Sequence, residues 1–506
     1  MSPSRLLRPV DRLVAALIDP ARRARALFGV LAGYVAVWTL YGAFAKATQD
    51  IHFDMAELAA WSRELAFGYS KHPPLAAWLV RAWFSLFPSA DWAYYLLAMT
   101  VVAVALWIAW HLSARYLDGE KRVVALALLT LIPFFNFHAL KFNPNTVLLP
   151  LWAATTLWFI RSFETRGRLD AALAGLGAAA CMLGKYWSIF LLAGLALAAL
   201  IDPRRGAYFR SAAPWITIVV GALVLAPHVV WLVANDFLPF SYAVAVHGKG
   251  SLASALMSGV NYLVGAAGYV ALPVLLALAV IRPNRATLGD ILSPSTPEHR
   301  LAAATFWAPL LIPAVLAPLF GIEINSLWTM SAWTLLPVVL LSSPLVVVSR
   351  AAAARIVAVA IVVPFVFLVA SPIIAGAIHR AGVAPTAAHG RMLAERLAQA
   401  WKQATKLPLQ FVGGDAGLAY AATFYLADRP SALVDSDPRL TPSIDPEKLA
   451  RSGLALICPM ADQGCVKTIE ARAGAAGYRF EVGFARSYFG VTGRPATYLV
   501  IIVPPS

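Results

Sequence analysis

Long apolar runs dominate the chain and are separated by short, basic loops. Candidate spans fall at about 27–46, 91–113, 122–138, 145–162, 170–184, 187–201, 213–234, 257–281, 301–321, 327–348 and 356–378. Most approach the ~20 residues an α-helix needs to cross a bilayer. The two runs flanking Lys185 are short. If they form one bent element, the total of about eleven falls by one.

Residues 47–90, between the first two spans, follow a different rhythm. In "DMAELAAWSRELAFGY" the apolar Met55, Leu58, Trp61 and Leu65 recur at helical spacing, with Arg63 and Glu64 elsewhere. That predicts an amphipathic helix lying on the membrane surface. "LAAWLVRAWFSLF" predicts a second, with Pro73-Pro74 breaking the chain between them. Past about Ile378 the apolar runs shorten. "PLQFVGGDAGLAYAATFYLADRPSALVD" reads as strand, Gly turn, helix, strand. "GLALICP", "YRFEVGFA" and "ATYLVIIVP" read as further strands, with a helical stretch near 464–475. The expected architecture is therefore a polytopic α-helical membrane domain over 1–378, with 47–90 as its first outer loop. A small α/β domain follows over 379–506. "GGDAG" lacks the full dinucleotide fingerprint, so a structural turn is the stronger reading of it.

Composition agrees with this pattern. Hydrophobic residues make up 60% of the chain and charged residues 13%, with a mean hydropathy of +0.70; soluble domains carry about 25% charged residues. The net charge of +15 does not indicate nucleic acid, because no basic stripe with interleaved aromatics appears. The charge instead orders itself by loop. One set of loops holds Arg5, Arg8, Arg12, Arg22, Arg23 and Arg25; Arg115, Lys121 and Arg122; Arg161, Arg166 and Arg168; Arg204, Arg205 and Arg210; Arg282, Arg285 and Arg300; Arg350 and Arg355. The opposite loops hold only Lys46, Arg63, Lys71, Arg81, Lys141, Lys185 and Lys249. By the positive-inside rule the N-terminus is cytoplasmic, and an odd number of spans sends the C-terminal domain outside. The first 28 residues, interrupted by charge and proline, read as a cytoplasmic amphipathic lead-in rather than a cleaved signal. Cys458 and Cys465 in "ICPMADQGCV" are then expected to form a disulfide in an oxidising compartment. No Cys/His spacing matches a structural zinc site.

The outer loop "DMAELAAWSRELAFGYSKHPPLAAW" resembles the first outer loop of the GT-C fold, polyprenyl-phosphate-dependent glycosyltransferases. These include glycosyltransferase family 39, the protein O-mannosyltransferases, and the aminoarabinose and galacturonic acid transferases of lipid A or core. The similarity extends to "LGKYW", "PHVVWLVANDFLPFSYA" and "GGDAGLAYAATFYLADRPS", so it covers most of the chain, although only the first loop is specific. It implies that Asp54 is the catalytic Asp and that His72-Pro73-Pro74 is the family's His-Pro-Pro step. Three positions depart from the pattern: Met55 replaces a second acidic residue, Lys71 stands where an acidic residue usually precedes the His, and Asn145 stands where many relatives carry an Asp. The last two weaken the case for a metal site of the family type.

The implied reaction moves a sugar from a polyprenyl-phosphate donor to an envelope acceptor, a glycolipid such as lipid A or core, or a protein, on the periplasmic face of the bacterial inner membrane. It needs a carboxylate base, positive charge for the departing phosphate and an apolar groove for the lipid. Outer-side carboxylates are Asp50, Asp54, Glu57, Glu64, Asp91, Asp236 and Glu323. Asp54 is the expected base, with Glu57 one helical turn on; the alternative for Asp54 is a helix N-cap. Lys71, His72, Lys185 and Lys141 are the expected phosphate ligands, since a lysine near hydrocarbon usually has a partner or a task; snorkelling and plain surface exposure are the alternatives. His72, His228 and Asp236 are weak candidates for a divalent metal. Competing functions are a transporter or flippase for a lipid-linked sugar, or a noncatalytic subunit. A transporter calls for repeat symmetry with interrupted helices in both halves, which the sequence lacks.

Overall fold

The computed structural model describes residues 7–248, 251–434, 441, 444–474 and 477–505. Arg5, Lys249 and Ala475, used above, lie outside the described residues.

All eleven expected spans are helical. Seven helices are long and apolar enough to cross a membrane: Arg23–Ala45, Asp91–Ser113, Pro144–Thr165, Ala213–Ala234, Leu252–Ile281, Pro297–Leu319 and Arg350–Ala381. The pair Gly119–Thr130 and Pro133–Lys141, bent by 75°, makes an eighth if it counts as one span. The rest are shorter: Arg168–Gly184, Tyr186–Ile201 and Ser326–Leu341. The last was expected to run to 348, but it starts as a 3-10 turn over Ser326–Leu335 and stops at Leu341. Pro344 follows three residues later, and the helical region is disfavoured just before a proline.

The chain forms two compact units, one of residues 1–38, 71–73 and 98–366, the other of residues 39–70, 74–97 and 367–506. In the first, Pro144–Thr165 and Ala213–Ala234 both pack on Arg168–Gly184, and Tyr186–Ile201 packs on Pro297–Leu319. Small residues make these approaches close, as expected where lipid supplies no hydrophobic drive between helices. A Cβ on Gly175 would sit 2.5 Å from the Thr217 carbonyl oxygen, and one on Gly194 would sit 2.5 Å from Pro309 Cδ. Thr217 Oγ1 also donates to the Ala171 carbonyl at 2.9 Å.

The second unit contains the C-terminal sheet. Its strands are β1 (Phe411–Gly414), β2 (Ser431–Val434), β3 (Leu454–Pro459), β4 (Tyr478–Phe484), a hairpin of β5 (Ser487–Tyr488) and β6 (Val491–Thr492), and β7 (Ala496–Val503). The main sheet runs β2-β1-β3-β7-β4. The first three strands are parallel, whereas β7 is antiparallel to both β3 and β4. The β1 turn is structural: Gly414 has φ +105°, and Asp415 Oδ1 caps the next helix by accepting from Leu418 N at 2.9 Å. Cys458 on β3 and Cys465 in the helix Gln463–Ala473 are disulfide-bonded, with Cα atoms 5.9 Å apart. The helix Gly390–Ala404, which the sequence reading did not separate from its surroundings, packs on Ala416–Tyr425.

The outer-loop helices belong to this unit and are shorter than expected. The first spans Phe53–Trp61 and the second Leu75–Phe84. Ser62 is the C-cap of the first, with its Oγ donating to the Ala59 carbonyl at 2.6 Å. Leu65 therefore lies beyond the helix and is exposed. A polar network fastens the loop to the C-terminal part of the unit. Buried Asp50 accepts from Arg486 Nη2 at 2.5 Å and from Arg391 N at 3.2 Å. Burial pushes the Asp50 carboxyl above its ordinary range, and Arg486 pulls it back. Tyr425 Oη donates to Asp91 Oδ1 at 3.1 Å and accepts from Ile51 N at 2.9 Å.

Gly175→Val tests the helix packing. The added side chain has no room, and overpacking of this kind costs about 1–3 kcal/mol. The expected outcome is a lower thermal midpoint of the detergent-solubilised protein by size-exclusion chromatography after heating; an unchanged midpoint contradicts the close approach.

Candidate active site

The two candidate carboxylates lie in the helix Phe53–Trp61. His52, not Asp54, is its N-cap: the Nδ1 of His52 accepts from Asp54 N at 3.2 Å. Asp54 thus sits inside the first turn with its carboxylate about one-third exposed, at 36%, while Glu57, one turn on, is buried. The helix is well braced. Tyr94 Oη donates to the Met55 carbonyl at 2.8 Å, and the Phe53 ring meets Tyr420 edge-on at 5.5 Å. Of the pair, Asp54 is the carboxylate open to solvent.

The candidate cations lie in the other unit. Lys185 occupies the break between Arg168–Gly184 and the 3-10 turn Tyr186–Ser188, with an extended backbone. The break leaves helix-end carbonyls to satisfy. The Cys181 carbonyl accepts from Lys185 N at 3.0 Å and, as a second donor, from Ser188 Oγ at 2.9 Å, and Ser188 Oγ accepts from Trp152 Nε1 at 3.1 Å. Lys185 Nζ donates to Asn145 Oδ1 at 2.7 Å and lies 5.2 Å from the Trp328 ring centre. Asn145 is fixed by the start of Pro144–Thr165, where Asn143 and Thr146 form a reciprocal cap. An amide accepts the hydrogen bond without adding negative charge.

Lys71 Nζ lies 5.5 Å from the Tyr242 ring centre. Next to it, half-buried His72 is held down to about 3 by burial first, then by the charges of Lys185 and Lys71. Lys71, His72 and Lys185 therefore form one electrostatic cluster. His247, whose ring meets Trp328 edge-on at 5.1 Å, is also held below its usual range, by burial and then by Lys185, with Glu323 opposing. Lys141 ends the turn Ala139–Lys141, four positions before Asn145.

The three metal candidates do not form a cation site. Buried His228 shares its Nε2 with Tyr186 Oη at 3.0 Å. Asp236 is exposed, with a left-handed φ of 50° just beyond Ala213–Ala234. No group of three His, Cys, Asp or Glu suited to a metal occurs among the described residues. Two lysines acting on His72 disfavour a cation there. The sequence reading missed Asn145 as a partner of Lys185, and Tyr242 and Trp328 as aromatic faces for the two lysines. Single aromatics in apolar runs give no signal of which cation they will meet.

Comparison with known proteins matches this arrangement to one class. Residues 71–231, from Lys71 through Lys185 to just past His228, match the dolichyl-phosphate-mannose-protein mannosyltransferase family. Lipopolysaccharide core galacturonosyltransferase RgtB of Rhizobium johnstonii is 30% identical over 224 residues, 43% of this chain and 44% of that protein. Lipid A galacturonosyltransferase RgtD of the same organism is 27% identical, over 37% of this chain and 39% of that protein. The chain spans about half or less of the length of these curated relatives. The crystal structure of ArnT from Cupriavidus metallidurans bound to undecaprenyl phosphate superposes with a TM-score of 0.61 at 12% identity, covering 93% of this chain and 98% of that one. Its apo form gives 0.60. The chain shares its fold with ArnT, and residues 71–231 resemble the mannosyltransferase family in sequence.

The His72 environment sets a pH dependence. Its folded value of about 3 lies below the ordinary 6.5, so the unfolded chain binds the extra proton between those limits. The stability that this histidine contributes is present above pH ~6.5 and is lost as pH falls toward 3. His72→Gln is expected to flatten the fall in thermal midpoint between pH 7 and 5 relative to the parent. Parallel curves for the two proteins contradict the depressed value.

Proposed function

We propose that the protein is an inverting glycosyltransferase, moving a sugar from a polyprenyl-phosphate donor to an envelope acceptor on the periplasmic face of the bacterial inner membrane. The observation that carries the reading is the cluster of Lys71, His72 and Lys185, built in a fold shared with a protein crystallised with undecaprenyl phosphate. The names of the relatives favour a glycolipid acceptor, lipid A or core, over a protein.

In this reading the acceptor hydroxyl oxygen attacks the anomeric carbon from the face opposite the phosphate. A new C–O bond forms, the bond to the phosphate oxygen breaks, and the electron pair leaves with the polyprenyl phosphate. Asp54 takes the hydroxyl proton. Negative charge grows on the leaving phosphate, so Lys71 and Lys185 assist the transition state more than the ground state. Neutral His72 adds a hydrogen bond, and Lys141 extends the basic rim. Glu57, being buried, supports the helix and the field around Asp54 rather than taking the proton. The domains are a membrane-embedded transferase part over 1–378 and a periplasmic α/β part over 379–506. The loop asymmetry of Lys and Arg supports a cytoplasmic N-terminus, and the Cys458–Cys465 bond suits an oxidising compartment.

Asp54→Asn keeps shape and removes the base. It should lower single-turnover transfer by about 10²–10⁴-fold while purified protein elutes as the parent does; parental turnover rules Asp54 out. Lys185→Met and Lys71→Met should each weaken polyprenyl-phosphate binding, about tenfold for a lost charge-assisted contact, and slow transfer further. If both variants bind and transfer as the parent does, these lysines anchor the protein at the interface instead.

A further inference from the structure

The turn after Phe53–Trp61, the helix Leu75–Phe84 and the loop after Ala416–Tyr425, all within one unit, enclose a cavity of about 220 Å³. Arg63, Arg81 and Arg429 line it, with Ser62, Ser85 and Ser89. No carboxylate lies among the lining residues. Arg81 Nη1 donates to the Ser62 and Arg63 carbonyls at 3.0 and 3.2 Å, and Arg429 Nη2 donates to Ser89 Oγ. The Arg63 side chain makes no ion pair or hydrogen bond among the described residues. The neighbouring acid is engaged elsewhere, since Glu64 Oε1 accepts from Ser431 Oγ at 2.6 Å. Burial, then the charge of Arg63, holds the Arg429 guanidinium below its ordinary value. Arg63 and Arg81 are exposed and Arg429 is half-buried; the three positive charges repel one another through solvent, and a bound anion relieves that repulsion.

Two further features define the anion. Sites for whole small molecules run to about 300–1,000 Å³, so this cavity takes one charged group of something larger. Its own elements also carry exposed apolar side chains next to the polar ones: Leu65 and Phe67 just past Arg63, at 64% and 49% exposure, and Leu86 beside Ser85, at 80%. A guanidinium cluster flanked by exposed apolar residues suits a phosphate whose attached lipid stays in the membrane. Guanidinium forks match phosphate oxygens in pairs. We propose that Arg63, Arg81 and Arg429 dock the phosphate of an anionic lipid headgroup, and, resting on the transferase reading, that this lipid is the acceptor. Asp54 and Arg63 are nine positions apart along the helix and its following turn, roughly 14 Å at 1.5 Å per residue. The acceptor's phosphate and its reactive hydroxyl would be separated on that scale, as they are in a phosphorylated sugar headgroup more than one ring long.

The test is native mass spectrometry of the full-length detergent-solubilised protein with phosphatidic acid and phosphatidylcholine of equal chain length, with inorganic phosphate as competitor. The parent should retain phosphatidic acid about tenfold better than phosphatidylcholine, and Arg63→Gln and Arg429→Gln should each lose most of that preference. Arg63→Gln removes no internal bond, so misfolding does not obscure it; polyprenyl-phosphate binding should survive in it. No preference in the parent, or an undiminished preference in both variants, overturns the site. Displacement by inorganic phosphate at equal concentration, independent of any lipid chain, overturns the lipid assignment. If the parent shows the arginine-dependent preference but transfers no sugar, the docking site stands and the transferase reading fails.

Discussion

A lysine at the edge of hydrocarbon costs a few kcal/mol unless its ammonium is given partners, and much of the first unit's local structure meets that cost for Lys185. The helical pair stops and restarts at this residue. Lys185 N and Ser188 Oγ both donate to the Cys181 carbonyl at the helix end, and a reciprocally capped helix start presents the Asn145 amide to the ammonium. Trp328 supplies an aromatic face, which attracts a cation through its ring quadrupole. Each partner lowers the cost of holding the charge without cancelling it, as a carboxylate at 145 would.

His72 shows the other side of this arrangement. Placed near two ammonium groups, an imidazole stays neutral. Neutral, it donates one hydrogen bond and accepts another, and it adds no further repulsion to a site that already holds two positive charges. Burial and the two ammonium charges act on it in the same direction.

Much of the fold was legible because lipid imposes length and composition on every span. The termini of Asp91–Ser113 and Ala213–Ala234 follow from hydropathy alone, and the strands of the C-terminal sheet follow from short β-branched runs bounded by turn residues. Local endings were less visible. The helix from Phe53 stops at Trp61 although its apolar spacing continues to Leu65, so periodicity alone overran the end. The 3-10 turn at Trp328 reads as an ordinary span for the same reason: hydropathy does not register how tightly a backbone is wound. The site was legible residue by residue but not as an assembly. Lys71, His72 and Lys185 stood out as polar residues in apolar surroundings. Asn145, which bonds one of them from 40 positions away, did not, and neither did the arginine cavity, whose third member comes from more than 340 positions downstream of Arg81.

Strand β7 follows β4 in the chain yet lies between β3 and β4 in the sheet. The sheet therefore has no continuous interior until β7 has been made. Arg486, which holds Asp50 just ahead of the helix bearing Asp54, is made almost as late. Until Arg486 is made, the outer loop lacks this brace. A chain stalled before β7 leaves β3 without a neighbour on one side and the segment leading into the Asp54 helix without its guanidinium partner.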